Sequence, residues 1–449
     1  MTHGNQESAD HSEKGSKEHI HQVDYVDTNA LEPYANNAKK HPQKQVHQIA
    51  ASLRRFGFLN PIIVDDKFEI IAGHGRWEAA KLIGLKKVPV IQVENLTPTE
   101  TKAYRLADNQ LTMNTGYDET LLKIEIKELI NLDPEFELEV IGLETTEIDL
   151  LVTDAAQDEP VDNDPADDVP PVDETAIITK PDDIWILDDH RLICGDSRVS
   201  QTYKALMLSE VAHMCFTDPP YNVKIDGHVC GAGKIKHDEF AMASGEMSED
   251  EFIGFLMAAF ALMVEFSRDG SLHYVCMDWR HLYELLCAGH QKFAALKNLC
   301  VWNKDNAGMG SFYRSKHEFV AVFKNGTASH LNTIELGKHG RYRTNVWDYR
   351  GVNSFGNQDD LKMHPTVKPV IMIADAIKDC TRRGHIVLDP FAGSGSTLIA
   401  CEKSGRKARC IELEPKYCDV IVRRWQGLTG RDAVHAGTGK TFNQSPQEA

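Results

Sequence analysis

Residues 215–223 read CFTDPPYNV, and four of them are an odd end to an apolar strand. Asp218 supplies a carboxylate and Tyr221 a flat ring, while Pro219 and Pro220 supply a rigid backbone with no N–H to donate. The set gathers hydrogen-bond acceptors and a stacking face at one point. The plainer alternative is a strand stopped by two prolines, with Asp218 capping the next turn. A second stretch, residues 385–417 (HIVLDPFAGSGSTLIACEKSGRKARCIELEPKY), reads as strand, glycine loop, helix, strand. Its first strand ends at Asp389, Phe391 follows, Gly393 and Gly395 form the loop, and the helix starts near Ser396. Glycines at such a place let the backbone approach a ligand closely. Glu412 ends the next strand nineteen residues after Gly393, where an acid can accept from both hydroxyls of a ribose. No Gly-Lys-Ser/Thr follows, and Leu398 stands where a dinucleotide fingerprint needs its third glycine. A nucleoside ligand without a pyrophosphate therefore fits this loop better than a dinucleotide.

These residues need a scaffold that brings strand ends together. VAHMCFTD, SLHYVCM, NLCVWNK, EFVAVFKN, HIVLDPF and KARCIELE are strand candidates, several of them separated by helical patterns at 249–266 and 369–381. Nearly continuous apolar strands alternating with helices argue for a doubly wound, mostly parallel sheet. Ligands in such sheets sit beyond the carboxyl ends of the strands, and Asp196, Asp218, Asp278 and Asp389 all fall at or just after such ends. A β-hairpin is expected over 182–196, turning at Asp188-Asp189.

The first part of the chain is built differently. Residues 46–57 (VHQIAASLRRFG) have helical apolar spacing and a closing glycine, and 61–66 and 88–93 read as strands. Within 69–91 a strand, the turn Gly73-His74-Gly75-Arg76, a helix and a strand follow one another. Free N–H groups at that helix start, together with Arg76, make an anion site. Between the two parts, residues 154–174 hold nine acids and four prolines with no Lys or Arg, which reads as a solvated linker over 152–180. Domains are thus expected at 23–151 and 181–432, with disordered tails at 1–22 and 433–449.

The net charge of −18 excludes a chain that coats nucleic acid through a global positive field, so any such surface is a local patch. Arg341, Arg343 and Arg350, interleaved with Tyr342, Trp347 and Tyr349, are the candidate. The alternative there is an ordinary loop with core aromatics. Ten cysteines without a CxxC pair suggest reduced thiols in a cytoplasmic chain, with neither a disulfide framework nor a metal site. The apolar stretch 252–266 is too short to span a bilayer, so it reads as a buried helix without a membrane role.

DPFAGSGST, TDPPYNV and HPTVKP (364–369) together resemble the S-adenosylmethionine-dependent DNA amino-methyltransferases over residues 182–429. The DPPY motif precedes the glycine loop, which resembles the β class of that family. The resemblance implies an α/β, Rossmann-like methyltransferase sheet acting on double-stranded DNA. It implies that Asp218, Pro219, Pro220 and Tyr221 receive the exocyclic amino group of a base flipped from the duplex. It also implies a cofactor held by Asp196 at the adenine, Glu412 at the ribose, and Thr366 and Lys368 at the methionine moiety, around Asp389, Phe391, Gly393, Gly395 and Ser396. Acid-headed DPPY favours adenine N6, and a serine at that position is commoner for cytosine N4. Cytosine C5 chemistry needs a cysteine nucleophile, typically after a proline, and no Pro-Cys pair occurs. The loop at 226–240 is expected to close over DNA.

The turn at 73–76, with LADNQL (106–111), resembles the box and following helix of ParB/sulfiredoxin-like domains over 23–131. That implies a small α+β domain with nucleotide phosphates at Gly73, His74, Gly75 and Arg76. Glu-Arg-Arg, usual in ParB proteins, is replaced here by His74-Gly75-Arg76, and this half of the chain has no cysteine for sulfiredoxin chemistry. The leading expectation is an adenine-N6 DNA methyltransferase, restriction–modification in type, with its dimeric state open. Cytosine N4 methylation is an alternative, as is a ParB-like nucleotide- or DNA-binding protein with an inactive methylase half.

Overall fold

The computed structural model describes residues 22–444 apart from 38, 114–115, 134–135, 153–163, 174–175, 224–244, 306–312, 335–342 and 352–366. Arg341, Thr366, the loop at 226–240 and the ends at 1–21 and 445–449 lie outside the described residues. The chain divides into two compact units, 1–144 and 145–449.

Unit one has a four-stranded sheet of β1 (Val23–Asp27), β2 (Ile62–Val64), β3 (Ile70–Ala72) and β4 (Lys87–Gln92), in the order β1-β4-β2-β3. Helices α1 (Gln43–Phe56) and α2 (His74–Leu82) pack on one another, and α3 (Pro98–Met113) and α4 (Glu119–Leu132) follow. α1 ends where expected, because Gly57 takes the left-handed φ of 79° that closes a helix. Ile62, Val64, Ile70, Ala80, Val88 and Val90 form the core.

Unit two begins with α5 (Thr145–Val152) and continues through β5 (Ile184–Leu187), β6 (His190–Cys194), α6 (Ser200–Met207) and β7 (Ala212–Thr217). Then come α7 (Glu249–Glu265), β8 (Ser267–Met277), α8 (Leu282–Lys292), β9 (Ala295–Asn303), β10 (His317–Lys324) and β11 (Val346–Asp348). α9 (Val370–Cys380), β12 (Ile386–Asp389), α10 (Ser396–Ser404), β13 (Lys407–Glu412), α11 (Pro415–Thr429) and β14 (Val434–His435) complete it. The ten strands run in the order β11-β9-β10-β8-β7-β12-β13-β6-β5-β14. β8, β7, β12, β13 and β6 are mutually parallel and hold the expected doubly wound centre; β10 and β5 join it antiparallel. The hairpin forms as read, with Leu187 opposite His190 across Asp188-Asp189. α7 is the buried helix expected from 252–266, started by a Ser248–Glu251 capping box. Among the described residues, no helix is long and apolar enough to cross a membrane.

Three boundaries differ from the reading by composition. First, α5 belongs to unit two, because the buried Arg406 guanidinium takes both oxygens of Asp149 at 3.0 and 2.9 Å. Second, the described part of the acidic stretch is fastened down. Asp164 pairs with Lys403 at 2.5 Å, Ala166 O accepts from Arg424 at 2.7 Å, and Asp167 accepts from the Val370 N–H at 2.8 Å. Further on, Asp419 receives the N–H groups of Ile178 and Thr179. The like charges that argued for a free linker meet cations supplied from α10 and α11, more than two hundred residues away. Third, residues 433–444 are not a loose tail. β14 pairs with β5, and Phe442 is buried edge-on against Trp185 with ring centroids 5.1 Å apart.

Removing one partner of a buried ion pair costs about 3–5 kcal/mol. A chain starting at Thr145 is therefore expected to hold unit two together. One starting at Asp173 loses Asp149 and the 164–168 contacts, and is expected to unfold at lower urea concentration by about that free energy. Denaturation of the two truncated chains side by side checks this.

Candidate active site

β7 is buried along most of its length, and Asp218 emerges at its carboxyl end. The following residues reverse the chain. Asn222 adopts a φ of 53°, accepts from the N–H groups of Gly245 and Met247 at 3.0 and 3.2 Å, and donates to Met247 O at 2.9 Å. It thereby pins the two ends of the segment that departs after Val223.

Asp218 does not stand alone. Lys368 Nζ lies 2.5 Å from its Oδ2, and the Tyr221 hydroxyl lies 2.5 Å from its Oδ1. Glu318, on β10, is 3.1 Å from both the Lys368 ammonium and the Tyr221 hydroxyl, and its other oxygen binds Lys304. The Trp302 ring flanks both cations, 4.5 Å from Lys304 Nζ and 5.9 Å from Lys368 Nζ. Side-chain exposure is 5% at Lys368 and 11% at Glu318, and rises to 22% at Asp218 and 28% at Lys304, so the cluster is closed at its centre and reaches solvent at both ends. Burial pushes the Asp218 carboxyl up, with Lys368 opposing and Glu318 adding to the rise. Against burial, Lys368 and Lys304 hold Glu318 well below the usual carboxylate range. Burial disfavours the Lys368 ammonium, but Asp218 and Glu318 more than restore it, so it stays charged.

The second stretch converges on the same edge of the sheet. β12 lies beside β7, and Thr217 Oγ1 donates to Asp389 Oδ1 at 2.7 Å, tying the two strand ends together. Phe391 N also donates to that oxygen at 3.1 Å. Gly393 and Gly395 take left-handed φ values of 53° and 83°, and a Cβ on Gly395 would meet Ile421 at 3.0 Å. Glu412 is buried. Its Oε2 accepts from Gly393 N at 2.8 Å and its Oε1 from Glu414 N at 2.9 Å, which leaves acceptor capacity on each oxygen. Burial pushes Glu412 up to about 7 and Asp389 to about 6. Ser396 is turned into the protein, its hydroxyl 3.1 Å from Arg424. Asp196 is gripped by Arg198 at 2.7 Å, and the Arg198 guanidinium lies over Phe255, whose ring is 5.9 Å from that of Phe391. Thus Asp196, Phe391, Gly393, Gly395 and Glu412 line the strand ends beside Asp218. Arg198, Phe255, Glu318 and Lys304 join them without having been singled out in the sequence.

Comparison with known proteins now bears directly on this site. Residues 212–423 match the DNA methylase family whose members act at N6 or N4. Residues 10–110 match the ParB N-terminal domain, and 120–181 match the ParB-methyltransferase HTH domain. Residues 212–423 thus form an N6/N4 DNA methylase domain, with ParB-type domains ahead of it. Among its relatives, the DNA adenine methyltransferase YhdJ of Escherichia coli K12 is 28% identical over 243 residues, 48% of this chain and 76% of that protein. The ParB-like nuclease domain-containing protein YnaK of the same organism is 49% identical over 67 residues, 15% of this chain and 77% of that protein. Of solved structures, the M1.HpyAVI–SAM complex is 19% identical with a TM-score of 0.39, covering 52% of this chain and 97% of that one.

N6/N4 DNA methylases use S-adenosylmethionine. The residues present fit that group. Glu412 is a buried carboxylate with acceptor capacity left for a diol, and the backbone beside it is freed of side chains by Gly393 and Gly395. Lys368, expected at the methionine moiety, is paired with Asp218 and Glu318, two carboxylates that offset the cost of burying its ammonium.

The arginine-rich loop is corrected more sharply. Arg343 is inside a cage, with Nε 3.1 Å from Asp379, and Nη1 2.5 Å from the Tyr349 hydroxyl and 3.4 Å from Asp375. Those carboxylates on α9 hold it, so it is no phosphate contact. Trp347 is buried, and Tyr349 packs partly buried against the same core. Arg350 is exposed and remains on the surface. In unit one, Gly73 has a φ of 104° and opens α2, as the turn required. His74 is buried, accepts from Tyr34 N at 3.3 Å and is lowered to about 4 by burial, so it is neutral. A Cβ on Gly75 would meet His41 at 3.0 Å. Arg76 donates to Pro61 O at 3.2 Å, while its buried Nε has no partner among the described residues.

Two outcomes follow. Glu412 is less acidic folded than unfolded, so its contribution to stability is full below pH about 4.5 and is lost as pH rises to about 7, on the order of 3 kcal/mol. Glu412→Gln should remove that falling contribution from the cofactor-free stability profile, tilting the range from pH about 4.5 to about 7 toward the rise contributed by His213, His273 and His385, which burial keeps neutral; an unchanged profile would show that Glu412 does not titrate there. Arg343→Met should destabilise unit two by on the order of 3 kcal/mol, read by urea unfolding.

Proposed function

We propose that this chain methylates the N6 amino group of adenine in double-stranded DNA, with S-adenosylmethionine as donor. The observation that carries the reading is Asp218 itself: an acid, not a serine, heads the Pro-Pro-Tyr turn, in a charge cluster beside the glycine loop. Its kinship with an adenine-directed relative supports the choice of base.

The amino nitrogen of adenine is a poor nucleophile because its lone pair is delocalised into the ring. Asp218 accepts one of its hydrogens and the Pro219 carbonyl the other, which draws the nitrogen toward tetrahedral geometry and frees the pair. Neither proline offers a competing donor. Tyr221 gives the flipped base a ring to stack on, and its hydroxyl, fixed by Asp218 and Glu318, holds that ring still. S-adenosylmethionine would supply an electrophilic methyl group on a sulfonium, with sulfur as the leaving atom that keeps the C–S electron pair. Asp218 takes the proton that the methylated nitrogen sheds. Glu412 would hold the ribose hydroxyls and Asp196 the adenine of the cofactor, and the backbone at Gly393–Gly395 would let it approach. Orientation of this kind contributes about 7–11 kcal/mol toward the barrier.

In unit one, the N–H groups opening α2 and the Arg76 side chain are proposed to bind a nucleotide phosphate.

Methylation-aware sequencing of host DNA expressing the chain tests the main reading. N6-methyladenine at one recurring sequence is the expected result. N4-methylcytosine would overturn the base assignment, and an unmodified genome would favour a binding protein with an inactive methylase half. For unit one, Arg76→Ala should weaken nucleoside triphosphate binding about tenfold or more, the loss of a charge-assisted hydrogen bond. Calorimetry that finds equal affinity for the two proteins would place the phosphate elsewhere.

A further inference from the structure

Glu318 is the second residue of an ordinary-looking strand, yet it touches three members of the active-site cluster. Its Oε1 binds Lys304, and its Oε2 lies 3.1 Å from both Lys368 Nζ and the Tyr221 hydroxyl. Lys368 is the only member that links Glu318 to Asp218 by ionic contacts, and it sits closer to Asp218, at 2.5 Å. An ammonium held that tightly blunts the acceptor strength that methyl transfer asks of Asp218. A second carboxylate on the far side of the ammonium offsets the effect by giving the cation another counter-charge.

We propose that Glu318 is a positioning residue for methyl transfer: it draws the Lys368 ammonium away from Asp218 and fixes the Tyr221 ring, so that Asp218 keeps an oxygen strong enough to accept from the target amino group. Lys304 sets how hard Glu318 can pull, because it neutralises the other oxygen. The inference rests on the methyltransferase reading above and adds to it two residues that the motifs do not contain.

Charge counting makes the idea specific. Asp218, Glu318, Lys304 and Lys368 sum to zero. Removing the Glu318 charge leaves the cluster positive, which favours ionised Asp218 but makes it a weaker base. Removing the Lys304 charge leaves the cluster negative, which favours protonated Asp218. The groups facing Asp218 are Lys368 from the segment leading into α9, Glu318 from β10, Tyr221 from its own turn, Cys276 from β8 and Asp389 from the end of β12. Burial already raises Asp218, and Glu318 raises it further, in keeping with these signs.

The experiment is the pH profile of single-turnover methyl transfer from tritiated S-adenosylmethionine to DNA of a methylation-deficient host, for full-length wild type, Glu318→Gln and Lys304→Met. Cofactor binding is followed by calorimetry on the same preparations. The expected result is a plateau rate about tenfold or more lower for Glu318→Gln, with its acid limb moved to lower pH, and an acid limb moved to higher pH for Lys304→Met. Cofactor affinity should stay close to wild type in both. Limbs that stay in place, or move in the same direction, overturn the proposal. If Glu318→Gln does not fold, the direction of the Lys304→Met shift decides alone, since general damage to the site would not raise the limb. Wild type that binds cofactor but transfers no label overturns the methyltransferase reading, and this inference with it.

Discussion

A buried ammonium cannot be left without counter-charge, and the catalytic half of this protein is arranged around one. Lys368 lies between Asp218 and Glu318, at 2.5 and 3.1 Å. Taking an ion out of water costs several kcal/mol, and only well-placed opposite charges offset that. The sheet order β10-β8-β7 sets the two acids on strands with a single strand between them, a span that one lysine side chain bridges. Lys368 is itself held in place from behind. Asp167 accepts from the Val370 N–H at the start of α9, so a segment ahead of the methylase fold helps to aim the lysine within it.

The two ends of the site use opposite electrostatics. Around Asp218, acids and lysines balance. At Glu412 and Asp389 the carboxyl groups are buried among backbone N–H and hydroxyl donors, and burial raises both. The first arrangement suits a group that must accept and then receive a proton. The second suits carboxyl oxygens that accept from neutral donors such as hydroxyl groups.

What could be read from the sequence was what depends on neighbours along the chain. The apolar runs of β7, β8, β12 and β13, the left-handed glycines of the loop and the prolines after Asp218 act locally, so their pattern specified both the parallel centre and the strand-end acids. What could not be read depends on partners far away. HEFVAVFK looks like any buried strand, and nothing near Glu318 shows that Lys368 and Tyr221 will close on it. Arg343 among aromatic residues has the composition of a nucleic-acid contact, but Asp375 and Asp379 of α9 claim it for the core. The acidic stretch looks free because its cations, Lys403 and Arg424, are distant in sequence. Its overlap with the ParB-methyltransferase HTH match is likewise invisible to charge counting.

The central claim is that Asp218 does the chemistry while Glu412 and the glycine loop hold the cofactor, so that the two tasks are separable. The most direct test is a paired measurement on Asp218→Asn: S-adenosylmethionine affinity by calorimetry and single-turnover methyl transfer to DNA, on one preparation. The account predicts cofactor affinity within about twofold of wild type and transfer slower by about 10²–10⁴, the usual range for a lost acid–base group. An Asp218→Asn protein that transfers at the wild-type rate, or that loses cofactor binding and transfer together, would contradict it.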